Sequence, residues 1–199
     1  MKSFAKQRIA ILIDTNIGGR AGAEQHLKTL CEKMDRKIFS IDVFQLGTSV
    51  PISNGELGIA TIYHVPIRSL RSAHGLHSVY KIVRILRAGK YSCVMSFFEK
   101  SDLINAYLKR ICKIPLAISS RRDTGFRHGK LMRWAYLGVN RRMDIVISPS
   151  GAVCRSLIAA GCERDKIVEI RNGVDLARFE NVNRTAVRKE LSLCGTESV

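Results

Sequence analysis

The chain has 199 residues, 46% of them hydrophobic, and its mean hydropathy is near zero, which fits one ordinary domain with a substantial buried core. No stretch approaches the roughly 18 consecutive apolar residues of a membrane span, and the apolar run Ile9–Ile13 is too short for a signal peptide, so we expect a cytoplasmic protein. The formal charge of +16 predicts an anionic partner, which is a lipid headgroup layer, a phosphorylated substrate or nucleic acid.

Seven short segments have the apolar or alternating pattern of β-strands. They are Ile9–Ile13, Phe39–Val43, Ala60–Val65, Cys93–Phe98, Leu116–Ser119, Ile145–Ser148 and Ile167–Ile170.

Helical patterns separate most of these strands. The predicted helices cover Leu27–Met34, Leu76–Leu86 with Gly89 as C-cap, a segment from Ser101 or Asp102 to about Ile111, Lys130–Val139, a segment from the capping residue Ser150 to Gly161, and Arg184–Leu191. Strands that alternate with helices of this length predict a doubly wound α/β fold, with a mainly parallel sheet covered on both faces. In such a fold ligands bind beyond the carboxyl ends of the strands, so the loops after residues 13, 98, 119 and 148 are the candidate sites.

The segment 144–179 carries the most specific motif, Asn172-Gly173-Val174-Asp175 followed by Phe179, after a capped helix and a strand. Asn-Gly supplies a tight turn, and Phe179 can anchor the departing chain. The segment resembles the end of the first domain in glycosyltransferase family 4, whose retaining enzymes have the two-domain GT-B fold. The resemblance implies that residues 1–180 are a Rossmann-like amino-terminal, acceptor-side domain and that residues 181–199 are a linker or the start of a second domain.

A glycine-rich loop follows the first predicted strand and contains Gly18, Gly19 and Gly22. Glycines allow close backbone approach, and the free N–H groups at a helix start favour phosphate oxygens. The loop resembles the one that family members place near the donor diphosphate. A βα turn without a ligand would contain the same residues.

The loop after the fifth predicted strand contains Arg121, Arg122 and Asp123. Many family members carry a His-Asp pair here, and Arg122 stands where that histidine would align, so a histidine-based role does not transfer. The guanidinium groups could bind an anionic acceptor or a donor phosphate, and Asp123 could orient one of them or accept a sugar hydroxyl. With Glu99 they are the candidate acceptor cleft, and Arg122 and Asp123 are the candidates for a catalytic role. The alternative is a solvated basic loop.

The predicted helix around Leu76–Leu86 has one basic face. Leu76, Val79, Val83 and Leu86 are expected to pack on the sheet, which leaves Lys81, Arg84 and Arg87 facing outward. We expect this cationic face to lie on the anionic inner face of the cytoplasmic membrane, and a solvated helix face is the alternative.

The cysteines and histidines show no metal-binding pattern. The cysteines are Cys31, Cys93, Cys112, Cys154, Cys162 and Cys194, which we expect to be reduced thiols. No HExxH or Cys/His spacing occurs among the histidines, so we expect no metal and no cofactor.

Together these features predict half of a glycosyltransferase. The resemblance implies transfer from a nucleotide sugar to a glycan or lipid-linked acceptor of the cell envelope, and a second domain that holds most of the donor. We therefore expect the chain to be inactive alone and to need a carboxy-terminal domain, in the same or a separate chain. The alternative is a non-catalytic basic Rossmann-like module that binds nucleic acid or anionic membrane. We expect no nucleic acid partner, because few aromatic residues that could stack on bases accompany the basic runs.

Overall fold

The computed structural model describes residues 6–19, 21–48, 61–122 and 129–173, together with Thr185 and Arg188. The predicted domain boundary at residue 180, the calls for Asp123, Asp175 and Phe179, and most of the helix predicted at Arg184–Leu191 lie outside the described residues.

Seven strands alternate with five α-helices in the described part of the chain. The strands are β1 (Gln7–Ile13), β2 (Phe39–Gln45), β3 (Thr61–His64), β4 (Cys93–Phe97), β5 (Leu116–Ser120), β6 (Ile145–Ser148) and β7 (Ile167–Glu169). The helices are α1 (Gly22–Lys33), α2 (Ala73–Gly89), α3 (Glu99–Cys112), α4 (Lys130–Arg142) and α5 (Gly151–Ala159), and a short 3₁₀ turn (Arg164–Lys166) precedes β7.

The strands form one sheet in the order β3-β2-β1-β4-β5-β6-β7, and every pairing is parallel. This confirms the predicted doubly wound α/β fold. The strand order reverses beside β1, whose Ile9 is in register with Ile41 of β2 on one side and Cys93 of β4 on the other. The crevice beyond the carboxyl ends of β1 and β4 is therefore the topological switch point, where ligands bind in such folds.

The two faces of the sheet bury different cores. Successive side chains of β1 alternate between them, with Leu12 in one cluster and Ile11 and Ile13 in the other. The smaller cluster includes Leu27 and Cys31 of α1, and the larger one draws residues from α2, α3, α4 and α5. The five described cysteines are free thiols, and Cys194 lies outside the described residues.

The buried stripe of α2 differs from the predicted one. Leu76 was expected to pack on the sheet, but its side chain is 61% exposed. The buried positions are Gly75, Ser78, Ile82 and Leu86. A methyl group on Gly75 would lie 2.0 Å from the Ser69 carbonyl oxygen, so the first turn approaches the preceding loop too closely for a side chain. Small residues thus occupy half of the stripe, and a pattern of large apolar residues could not identify it.

Two element ends also lie elsewhere than predicted. The left-handed residue after α2 is Lys90, with φ of 49°, and Gly89 is instead the last helical residue. A Cβ on Gly89 would lie 2.4 Å from the ring of Tyr91, so glycine is required there for close packing. Strand β4 ends at Phe97 and α3 begins at Glu99, two residues before the predicted cap Ser101.

Candidate functional site

The loops that follow β1 and β4 are tied together at the switch point. The Asp14 carboxylate accepts hydrogen bonds from the backbone N–H groups of Lys100, at 2.6 Å, and Ser101, at 2.7 Å. These groups belong to the first turn of α3, where a carboxylate is favoured by the helix dipole. Burial nevertheless raises the pKa of Asp14 to about 6, against the lowering effect of the two N–H donors. Asp14 therefore holds the first turn of α3 beside the end of β1.

The turn between β4 and α3 is strained at Phe98, whose φ is 73°. A non-glycine residue in this region is disfavoured and persists only where the surroundings hold it. The turn places Phe98 and the adjacent Glu99 on the wall of a cavity that α4 and α5 also line. Glu99, predicted as part of the acceptor cleft, thus lies at the rim of the switch point.

The glycine-rich loop is an ordered turn that leads into α1. Asn16 accepts hydrogen bonds from Gly18 N at 2.9 Å, through its side chain, and from Gly19 N at 2.8 Å, through its carbonyl. Helix α1 begins at Gly22 without a side-chain cap, so its first N–H groups remain available to a ligand. A Cβ on Gly22 would meet nothing within 4 Å. The buried Glu24 in the same turn already places one carboxylate at this helix end, and it limits how much further negative charge the end can attract.

Arg121 is buried and fully engaged. Its guanidinium lies 3.1 Å from Asp102, donates to Ser119 Oγ at 2.7 Å and to Asn140 Oδ1 at 3.0 Å, and stacks on the ring of Tyr136 at 4.0 Å. The residue is 8% exposed. Arg121 lines the cavity, but these contacts make it part of the wall.

Arg122 is placed differently, although it is the next residue. Its Nη1 donates to Asn172 Oδ1 at 2.5 Å, and its guanidinium lies over the ring of Phe97 at 5.2 Å. Its Nε is buried without a hydrogen-bond partner. No described carboxylate forms an ion pair with it, and burial lowers its pKa to about 10, so it stays protonated at neutral pH. Arg122 is thus a desolvated cation with unused hydrogen-bonding capacity.

The contact between Arg122 and Asn172 connects two motifs that lie 50 residues apart in the sequence. It links the end of β5 to the Asn172-Gly173 turn that follows β7. Arg122 also lowers the pKa of His26 on α1, in addition to the larger effect of burial, so its charge is felt at the helix that follows the glycine-rich loop. Arg122 therefore lies between helix α1 and the Asn172-Gly173 turn.

A cavity of about 620 Å³ opens beside Arg122, between the start of α3 and helices α4 and α5. Its lining combines cationic, aromatic and small apolar side chains. They are Phe98, Glu99, Asp102, Ser120, Arg121, Arg122, Lys130, Arg133, Trp134, Tyr136, Leu137, Asn140, Ser156, Leu157, Ala159, Ala160 and Gly161. Gly18, Gly19 and Gly22 of the glycine-rich loop do not line this cavity.

Sequence reasoning missed the contribution of α4. Lys130, Arg133 and Trp134 lie in its first two turns and face the cavity. The available signal in the sequence was an aromatic residue, Trp134, directly after a basic one. In the structure Trp134 and Leu131 are each 74% exposed. Within the described ranges no group of histidine, cysteine and acidic residues could hold a metal ion.

The predicted basic face of α2 is exposed. Lys81 and Arg84 project from the helix, while Arg87 donates two hydrogen bonds to the Ile111 carbonyl at the end of α3, at 3.1 and 3.2 Å. No helix among the described residues has the length and apolar character that crossing a bilayer would require.

Several solved structures share this fold. Anabaena HepE in complex with UDP and glucose superposes with a TM-score of 0.73 at 17% identity, over 92% of this chain and 50% of that one. The lipopolysaccharide outer core galactosyltransferase WaaB has a TM-score of 0.66 at 15% identity, over 85% of this chain and 47% of that one. Sucrose-phosphate synthase from Thermosynechococcus elongatus has a TM-score of 0.65 at 14% identity, over 95% and 53%.

This chain spans about half the length of each of these proteins. At such identities the similarity establishes the fold, which is that of one domain of a GT-B glycosyltransferase. No curated protein matches the sequence. Residues 20–178, however, match the family model of Glycosyltransferase Family 4, and this match covers most of the chain. The chain therefore belongs to glycosyltransferase family 4.

Proposed function

We propose that the chain is the acceptor-side half of a retaining glycosyltransferase that takes its sugar from a nucleotide-sugar donor. Family membership carries this proposal, and it is supported by the switch-point crevice and by Arg122, which forms no ion pair with a described carboxylate. HepE structures contain UDP, UDP with glucose, or UDP-glucose, which favours a uridine diphosphate sugar as donor. WaaB acts on the lipopolysaccharide outer core, which favours a cell-envelope or lipid-linked acceptor here.

The roles of the groups follow from their placement. The free N–H groups at the start of α1, beginning with Gly22, would bind the donor diphosphate, beside the turn that Gly18 and Gly19 form with Asn16. The charge of Arg122 would stabilise the negative charge that develops on the diphosphate as the glycosidic bond breaks. The cavity beside Arg122 would hold the acceptor. No metal or cofactor enters this proposal.

The second half of the enzyme is the other requirement. The matched glycosyltransferases are about twice as long as this chain, and a bisubstrate reaction depends on holding both reactants in one geometry. We therefore propose that these 199 residues do not transfer sugar alone and that a carboxy-terminal domain, in the same or a separate chain, completes the enzyme.

The purified 199-residue chain should bind UDP weakly and turn over no nucleotide sugar. In a ¹H–¹⁵N NMR titration, millimolar UDP should shift the amide resonances of Gly22, whose N–H is free at the start of α1, and those of the adjacent Gly18 and Gly19, whose surroundings the diphosphate would change. Uridine, which lacks the diphosphate, is the matched control and should leave them in place. Unmoved glycine resonances would refute the donor-loop assignment, and turnover of UDP-glucose would refute the need for a second half.

The exposed basic face of α2 supports a peripheral position at an anionic membrane. Each basic residue near such a surface contributes about 1 kcal/mol, so Lys81, Arg84 and Arg87 together could hold the protein reversibly. This position would bring the acceptor cavity close to a lipid-linked substrate.

A vesicle sedimentation assay tests this position. The chain should sediment with vesicles that contain phosphatidylserine, and less so as salt rises, because counterions screen the attraction. Changing Lys81, Arg84 and Arg87 to Gln should reduce sedimentation severalfold. Changing Lys33, Arg36 and Lys37, exposed at the end of the helix on the opposite sheet face, removes the same charge and should reduce it less. Equal sedimentation with neutral and anionic vesicles would refute the membrane position.

A further inference from the structure

The cavity beside Arg122 has an excess of positive charge. Four of its lining residues are cationic, Arg121, Arg122, Lys130 and Arg133, and two are acidic, Glu99 and Asp102. The pair of Arg121 with Asp102 is closed by short contacts and neutralises itself. Three cations and one carboxylate remain around the open space.

Two of these cations are free to meet a ligand. Lys130 and Arg133 are exposed at the start of α4 and form no ion pair within the described part of the chain. Arg122 adds a buried Nε that lacks a partner. An anionic ligand at Lys130 and Arg133 would form charge-assisted hydrogen bonds, and the nearby positive charge of Arg122 would add to the attraction.

Apolar side chains also line the cavity. Leu137, Leu157 and Ala160 line it, and the indole ring of Trp134 stands at the rim, 74% exposed. A pyranose ring has an apolar face of C–H groups that can pack against an aromatic ring, while its hydroxyls remain available to polar neighbours such as Asn140.

We propose that this cavity binds an acceptor sugar that carries an anionic group, either a phosphate or a carboxylate. The sugar ring packs on Trp134, and Arg133 and Lys130 bind the anionic group. This inference rests on the proposed function only in naming the ligand an acceptor. It adds the chemical class of that acceptor and assigns two residues, Arg133 and Trp134, that determine it.

The chain provides its own probe, because Trp134 is its only tryptophan. The indole emission of the purified chain is followed during titrations with glucose 6-phosphate, glucuronic acid, glucose and inorganic phosphate. Glucose 6-phosphate or glucuronic acid should change the emission with an affinity at least tenfold higher than that of glucose. The arm that binds more tightly distinguishes phosphate from carboxylate. Inorganic phosphate should bind more weakly than the preferred anionic sugar, since it cannot pack on the ring.

Arg133→Gln should weaken binding of the preferred sugar about tenfold, as expected for the loss of one charge-assisted contact. Arg36→Gln, an equally exposed change after the end of α1 and outside the cavity, is the matched control and should leave the affinity unchanged. Equal affinities for glucose and the anionic sugars, or no emission change with any of them, would overturn the proposal. So would a response to lipid vesicles but to no sugar, since Trp134 would then face a bilayer.

The outcome of this test is independent of the outcome of the UDP titration. UDP binding is read at Gly18, Gly19 and Gly22, which do not line the cavity. A chain that binds UDP but not the anionic sugars would retain the proposed function and lose this inference. A chain that binds glucose 6-phosphate at Trp134 but not UDP would retain this inference and lose the proposed donor site.

Discussion

Replacing Asp102 by Ala is expected to lower the free energy of unfolding by about 3–5 kcal/mol, because it leaves a buried guanidinium without its counter-charge. The Asp102 side chain is 1% exposed. It accepts hydrogen bonds from Ser96 Oγ at 2.6 Å, Ser119 Oγ at 2.7 Å and Tyr136 Oη at 3.1 Å, and it pairs with Arg121. One carboxylate thus binds side chains from β4, β5 and α4 and from the residue that follows β5. Urea unfolding followed by circular dichroism measures the loss as a lower midpoint with an unchanged slope.

Two further variants separate the charge from the hydrogen bonds. Tyr136→Phe removes one donor to Asp102 and should cost about 1 kcal/mol. Asp102→Asn keeps the shape but removes the charge, so its loss should lie between those of Tyr136→Phe and Asp102→Ala, and it remains measurable if the alanine variant does not fold. An Asp102→Asn variant as stable as wild type would show that the Arg121 pair contributes nothing to the domain.

The strands were predictable from the sequence because a parallel sheet buried on both faces requires continuous apolar segments such as Ile9–Ile13. The ends of the helices were less predictable. Phe98 and Lys90 adopt positive φ, which the sequence does not signal at a non-glycine residue. The buried stripe of α2 was misplaced because Gly75 and Ser78 are buried by close backbone approach and by a hydrogen bond from Ser78 Oγ to the Pro66 carbonyl.

The two adjacent arginines show where reading of the site from sequence fails. Successive side chains of a strand point to opposite faces, and this alternation continues past the end of β5. Arg121 lies on the side of Ser119 and enters the Asp102 network, whereas Arg122 contacts Phe97, whose side chain belongs to the opposite core. The motif alone gives both residues the same chemistry, and only their burial and partners distinguish a structural cation from an available one. Continuing the alternation of β5 by two residues would have indicated this difference.

Arg122→Ala should reduce kcat/KM for sugar transfer by an order of magnitude or more in an enzyme that contains both halves, while changing the stability of this domain by less than about 1 kcal/mol. The reason is that Arg122 is partly buried and forms no ion pair with a carboxylate among the described residues, and this burial lowers its pKa to about 10. Its removal gives up one hydrogen bond to the exposed Asn172 and relieves the cost of burying a charge. The loss in transfer corresponds to a charge-assisted contact of about 1.5–3 kcal/mol with an anionic substrate group.

The conservative variant and a remote control complete this prediction. Arg122→Lys keeps the charge but loses the planar fork, so it should recover part of the activity and less than the full rate. Arg84→Ala removes an exposed arginine from α2 and should leave kcat/KM unchanged when the acceptor is supplied in solution. The measurement is the initial rate of nucleoside diphosphate release at several acceptor concentrations, with urea midpoints for each variant. An unchanged kcat/KM for Arg122→Ala would make Arg122 a structural residue. A loss of activity that matched a loss of stability would lead to the same conclusion, because the lower rate would then follow from the smaller folded fraction.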